Sequence, residues 1–292
     1  MAKVSAQLVK ELRELTGGGM LDCKKALEAT DGDVKAAAEW LRENGMLKAA
    51  KKSERVAAEG LCGVKTNATH AVVYEVNSET DFVAKNDKFL DLLDTIGDAL
   101  LLEKPTTLEA ALQLTFGGET LEAIITQAVA IIGEKITLRR FAVLEKPANG
   151  IFGAYSHMGG RIAVLTAING TTDEKIAKNI AMHIAGINPL AITTADLPTE
   201  IVESKRRELT NEAIEEGKPA NIAEKIVEGR MSKYFSESVL VEQSFVVDPD
   251  IKVGKYLADN NAEVVEFIRY ACGEGIEKQE VDFATEVMSQ VR

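Results

Sequence analysis

The chain has 292 residues, 46% of them hydrophobic. That is enough to bury a sizeable core and to divide into two or more domains, since single cores seldom grow past about 250 residues. A formal net charge of -12 argues against a protein that grips bare nucleic acid, which needs a clustered excess of Lys and Arg. Cys23, Cys62 and Cys272 lie far apart in sequence, in no CxxC pair and with no neighbouring histidine, so neither a disulfide framework nor a zinc site is expected. The N-terminus mixes charge with apolar residues and no apolar run approaches a membrane span, so the chain reads as cytoplasmic, in a reducing compartment.

Residues 4 to 44 read as a compact three-helix unit. Val4, Leu8, Leu12 and Leu15 recur at helical spacing, Gly17-Gly18-Gly19 breaks the helix, and Asp22 can cap a second one carrying Cys23, Ala26 and Leu27. A third helix follows Asp33 with Val34, Ala37, Trp40 and Leu41 on one face, and Asn44-Gly45 stops it. Lys48 to Arg55 reads as a charged linker, helical in part.

After the linker the period becomes extended. Leu61 to Thr66 and Ala71 to Val76, joined by Asn67-Ala68-Thr69-His70, predict a β-hairpin. Residues 82 to 102 carry Phe89, Leu93, Ile96 and Leu100 at helical spacing, more helix is expected at 107 to 114 and 119 to 132, and Ile136 to Leu144 returns to strand. A second strand, turn, strand and helix block runs from Ile151 to Ile184. Laid over the first, it sets Ile168-Asn169-Gly170-Thr171-Thr172-Asp173 on Val76-Asn77-Ser78-Glu79-Thr80-Asp81, which predicts a duplicated α+β core.

Residues 199 to 216 and 219 to 234 are charged helices with sparse apolar positions, Ile201, Leu209 and Ala213 on one and Ile222 and Ile226 on the other. They read as an antiparallel helical hairpin turning at Gly217-Lys218-Pro219. Phe245-Val246-Val247 and Val265 to Arg269 are expected as strands, and residues 280 to 291 as a closing helix. The domains are therefore 1-55 (three-helix unit and linker), 56-145 (first core subdomain), 146-279 (second core subdomain, with the helical hairpin at about 199-235) and 280-292 (C-terminal helical module).

Motifs for covalent chemistry are missing: there is no Walker A loop, no GxGxxG after a strand, no HExxH and no GxSxG. His70 and His157 stand at turns, and His183 sits between Ile180 and Ile184 at helical spacing, none with an evident orienting carboxylate. The chain is expected not to be an enzyme and to hold no metal or cofactor. One segment stands apart. Thr80-Asp81-Phe82-Val83 joins a hydroxyl, a carboxylate and a large aromatic where a strand hands over to a helix. Periodicity leaves two readings open, a helix cap with Phe82 packed on the Phe89 face, or a binding surface. The repeat carries Glu174 where the first block has Phe82, so the architecture tolerates a charge there.

The chain resembles the bacterial elongation factor Ts family. The resemblance rests on Leu8 to Arg13, Thr16 to Met20 with Asp22 to Leu27, Thr80 to Lys85, His157 with Gly160-Arg161-Ile162, Ile180 to His183, Ile222 to Lys225, Glu228 to Met231, Phe267-Ile268-Arg269 and Gly273 to Glu277. It implies a guanine-nucleotide exchange factor for elongation factor Tu that binds the GDP and GTP forms without binding nucleotide itself, in a 1:1 or 2:2 complex and away from membranes. It also implies a ubiquitin-associated-like N-terminal domain, a protruding coiled coil and a C-terminal helix that embraces the partner. Thr80, Asp81, Phe82 and Val83 match the motif implicated in displacing the partner's magnesium ion, with Met20, Leu21 and His157 as supporting contacts. Leu21 stands where the family often has a second methionine. The alternative is a non-enzymatic adaptor or RNA-associated protein using the three-helix domain and the helical hairpin.

Overall fold

The computed structural model describes residues 4–217 and 219–277; the C-terminal module expected at 280-292 lies outside the described residues. Helices α1 (Ala6–Thr16), α2 (Met20–Ala29) and α3 (Val34–Ala50) form the N-terminal unit around Leu12, Cys23, Ala26, Leu27 and Ala37, all fully buried. Ser5 caps α1 by accepting from the Leu8 N–H, Gly17 ends it in the left-handed region at φ 66°, and Asp33 caps α3. Three expectations need correction. Asp22 lies inside the first turn of α2, whose cap is Gly19, and Leu15 is solvent-exposed, while Val9 packs against the core beside Val4 and Leu8. Gly45 does not stop α3, which continues to Ala50. It is instead a point of close approach, since a Cβ there would meet the Ala130 Cβ at 2.9 Å.

The core is two copies of one plan. In the first, β1 (Glu59–Thr66) and β2 (His70–Ser78) form the expected hairpin, followed by α4 (Asp87–Glu103), α5 (Leu108–Leu112), the short strands β3 (Thr115–Phe116) and β4 (Glu119–Thr120), α6 (Leu121–Ile132) and β5 (Ile136–Glu145). The sheet order is β1-β2-β5, all antiparallel. The second copy has β6 (Gly150–His157), β7 (Ile162–Asn169), α7 (Glu174–Ile187) and, after an insertion, α10 (Val253–Asp259) and β8 (Glu263–Ala271), in sheet order β6-β7-β8. The insertion holds α8 (Thr199–Glu215) and α9 (Ala220–Ser238).

The duplication extends to irregularities that sequence overlay alone could not show. The central strand slips register between Glu75 and Val76 in one sheet and between Ala167 and Ile168 in the other, at matching positions. Each first strand sets a glycine opposite the matching asparagine of the central strand, Gly60 on Asn77 and Gly150 on Asn169: a Cβ on Gly60 would lie 2.2 Å from the Val76 carbonyl oxygen, and one on Gly150 2.1 Å from that of Ile168.

Period-two alternation then builds a helix–sheet–sheet–helix stack. On β2, Val72, Tyr74 and Val76 face α4 and α6, whereas Ala71 and Val73 face the other sheet. On β7, Val164 and Ile168 face α7 and α10, and Ala163, Leu165 and Ala167 meet Ala71, Val73, Cys62 and Leu144 between the sheets. Glu75 lies in this interface with no solvent exposure. It accepts from Arg139 (3.0 Å), Arg140 (2.5 Å), Asn77 (3.0 Å) and the Gly273 N–H (2.8 Å). Burial raises its carboxyl pKa, but the bonds from Gly273, Asn77 and the two arginines outweigh that and hold it below the usual range. Gly273 follows β8, so this one carboxylate joins the two halves.

The helical hairpin forms, with Leu209 and Ala213 of α8 in the seam as expected and the α9 side shifted by one residue. Ala223, Val227 and Met231 pack against Leu209 and Ala213, while Ile222 and Ile201 are exposed. Smaller side chains at the seam let the helices approach, and Arg230 spans the edge to Glu212 (3.3 Å) and Glu216 (2.6 Å). Phe245-Val246-Val247 is not a strand. Phe245 is buried in the second core, where the Val246 N–H donates to His183 Nδ1 (3.3 Å) and Gln243 Oε1 lies 2.9 Å from His183 Nε2. His183 is thus a fully buried core residue, its pKa pushed down by burial against a smaller upward pull from Gln243.

Candidate functional site

The segment after β2 does not run directly into α4. Val83–Lys85 make one turn of 3-10 helix, and Asn86 then caps α4 by accepting from the Lys88 N–H (2.9 Å). Neither Thr80 nor Asp81 is the cap. In the second half Asp173 caps α7 directly. The helix there starts five residues after Asn169, against ten after Asn77, so the first half carries an extra turn with Phe82 at its tip. The break at Asn86 takes Phe82 off the Phe89 face: Phe89 is fully buried and Phe82 is 78% exposed. A phenylalanine held in water on an ordered turn contributes little to the core and leaves its apolar surface uncovered.

The turn is fixed on both sides. Glu134, just beyond α6, accepts the Thr80 N–H at 2.9 Å and the Thr80 hydroxyl at 2.6 Å, and the Ser78 hydroxyl donates to the Thr80 carbonyl at 3.0 Å. Glu79 accepts the Lys135 N–H at 2.6 Å and pairs with Arg55 at 3.1 Å. Val83 and Ala84 are buried in the first core beneath the tip. Asp81 is half-exposed, 3.5 Å from Lys85. So loose a surface pair contributes little and leaves the carboxylate free to act elsewhere.

The other expected site residues lie toward the same end of the molecule. Met20 and Leu21 are exposed at the corner after Gly17–Gly19, and Lys88 in the first turn of α4 donates to the Gly17 carbonyl at 2.9 Å. His157 ends β6, its ring stacked on Tyr155 with centroids 5.9 Å apart. The turn after it reaches β1: a Cβ on Gly160 would lie 3.3 Å from the Cys62 carbonyl oxygen, and Arg161 pairs with Glu59. That pairing raises the Arg161 pKa, against burial and with a smaller contribution from Asp81. Sequence reasoning missed Met158, which is 70% exposed with φ 51° at the tip beside His157. Its only signal was an apolar residue ahead of a Gly-Gly turn.

Among the described residues no group of three or more His, Cys, Asp or Glu side chains could hold a metal ion, and no helix is long and apolar enough to cross a membrane. Exposed apolar tips on braced turns, over a core that spends its polar groups on holding itself together, are the kind of surface a protein offers to another macromolecule. The sequence model of the elongation factor Ts family matches residues 79–274, 196 of the 292 residues, beginning one residue before the Thr80 turn. The chain belongs to the elongation factor Ts family, and its role is that of a nucleotide exchange factor for elongation factor Tu in translation elongation. Met20 and Leu21 lie outside the matched residues.

Proposed function

We propose that Phe82 and Asp81 enter elongation factor Tu beside its nucleotide-bound magnesium ion and disturb it, so that GDP leaves and GTP can bind. One observation carries this reading: Phe82 is 78% exposed at the tip of a turn held by Thr80 on one side and buried Val83 on the other. Val83 serves as the anchor of the wedge rather than as a contact. Asp81 brings a carboxylate held only by a loose surface pair with Lys85 to a cation, and Met20, Leu21, His157 and Met158 widen the docking face. The division of labour follows the proposed domains, with 1-55 and 146-279 flanking the wedge borne by 56-145.

Magnitudes support a wedge at the end of a clamp. A ten-thousand-fold faster release of GDP corresponds to about 5.5 kcal/mol of barrier, at about 1.4 kcal/mol per tenfold. Burying one phenylalanine supplies about 1.5–3 kcal/mol. The rest comes from a broad interface, on the order of 1,200–2,000 Å² or more, that holds the partner distorted. Linkage is reciprocal, so GDP weakens this protein's binding by the factor by which this protein weakens GDP. The test is release of fluorescent GDP from elongation factor Tu. Acceleration by the wild-type chain, and a roughly 10- to 100-fold smaller one by Phe82→Ala, are expected; no acceleration at saturating protein ends the proposal.

A further inference from the structure

Two cysteines 210 positions apart in sequence meet between the sheets. Cys62 on β1 stands opposite Glu75 in the β1–β2 register and is buried in the inter-sheet cluster, against which Cys272 packs. Cys272 follows β8 and is held on three sides. Its N–H donates to the Arg161 carbonyl at 2.9 Å, the Asn77 amide donates to its sulfur at 3.6 Å and to the Glu59 carbonyl at 3.1 Å, and the adjoining Gly273 N–H is bonded to Glu75. The chain at Gly273 also touches β1's approach, where a Cβ would lie 2.1 Å from the Ala58 carbonyl oxygen. The two side chains share one inter-sheet cluster, Cys62 as a buried member and Cys272 packed against it. Cys62 is 2% exposed, whereas Cys272 is only partly buried.

We propose that Cys62 and Cys272 form a reversible disulfide that staples the first half of the core to the second, with Cys272 the thiol that reacts first with a hydroperoxide. The neighbouring Cys62 thiol lowers the Cys272 pKa, and Arg161 adds a positive field while burial and Glu75 oppose it. Cys62 is pushed up by its thiol neighbour, by burial and by Glu75. Cys272, the more accessible of the two sulfurs, is the one a peroxide reaches first, and the buried Cys62 is the one that resolves it. The Cys272 thiolate attacks one oxygen of hydrogen peroxide, the O–O bond breaks, and the departing hydroxide takes a proton to become water, leaving a sulfenic acid. Cys62 sulfur then attacks Cys272 sulfur, the S–O bond breaks, and the hydroxyl leaves with the Cys62 proton as a second water. Two thiols lose two electrons and one peroxide is reduced to two waters. The bond would tie β1, which pairs with the strand leading to the Thr80 turn, to the segment from which residues 278–292 continue.

The test uses the full chain, reduced and then exposed to about one equivalent of hydrogen peroxide. An intact mass lower by about 2 Da, a fall from three titratable thiols to one, and a Cys62–Cys272 cross-linked peptide are expected. So is a thermal midpoint raised by roughly 5–15 °C, reversed by dithiothreitol. In Cys62→Ala, Cys272 should be trapped as a sulfenic acid by dimedone. The wild-type peptide map decides the matter even if that variant folds poorly. Cys272 passing to sulfinic acid in the wild type, all three thiols surviving, or a cross-link to Cys23 or to a second chain would overturn the proposal.

Discussion

Glu134→Ala removes the brace of the wedge without touching any apolar contact of the tip. Two hydrogen bonds to a carboxylate are lost, from the Thr80 N–H and the Thr80 hydroxyl. Bonds to charged groups contribute about 1.5–3 kcal/mol when well sheltered. Thr80 and Glu134 are only half-buried, so water can replace part of the loss, and about 1–2 kcal/mol is the expected destabilisation of the ordered turn. If the freed turn spends most of its time out of the competent geometry, apparent affinity for the exchange transition state falls by the same factor, roughly 5- to 30-fold. Global unfolding should register little of this, since a local opening of the turn leaves the core under Val83 intact. The assay pairs stopped-flow release of fluorescent GDP from elongation factor Tu with a thermal melt. Glu134→Gln, which keeps one acceptor oxygen, should fall between. In a double-mutant cycle with Thr80→Val the two losses should be less than additive. Strict additivity, or wild-type exchange in Glu134→Ala, would refute the idea that this brace prepares the wedge.

Two further outcomes test how the parts are held. Gly45→Val should force α3 from α6, because even a Cβ meets Ala130 at 2.9 Å. A loss of about 1–3 kcal/mol is expected, with faster proteolysis at residues 51–55 and Phe82 left as exposed as before; limited digestion and urea melts check it. His183 has a folded-state pKa below its ordinary value of 6.5 because burial disfavours the imidazolium. The unfolded chain therefore binds more protons below about pH 6.5, and stability present at neutral pH is lost as pH falls through that value, by at most about 1.4 kcal/mol per pH unit from this group. His183→Gln should flatten that part of the profile in urea titrations at pH 7 and pH 5.5.

The hairpins, the helical faces and the duplication were legible because each depends on local period. Val72, Tyr74 and Val76 alternate in sequence as they do in space. What was illegible depended on long-range contact. Gly45 reads as a helix stop, and only the arrival of Ala130, 85 positions later, makes it a packing point. Phe245-Val246-Val247 has strand composition, yet the need to bury Phe245 and satisfy His183 draws it into an irregular segment. On α9 the hairpin seam fell one residue away because large isoleucines look like seam residues, whereas Ala223 and Val227 are the ones packed against Leu209 and Ala213. At the site, position and composition singled out Thr80 to Val83. The Asn86 cap, which separates Phe82 from Phe89, was readable as a capping residue but lay hidden inside a strong apolar period. Cys62 and Cys272 gave no sequence signal at all.

The wedge itself is tested most directly by measuring GDP release from elongation factor Tu and binding to nucleotide-free elongation factor Tu side by side for Phe82→Ala. Phe82 is exposed, so the variant should keep its thermal midpoint. The account predicts a roughly 10- to 100-fold loss of exchange, from about 1.5–3 kcal/mol of apolar burial forfeited in the distorted complex, with a distinctly smaller loss of binding. Equal losses in both, or exchange at the wild-type rate, would contradict it.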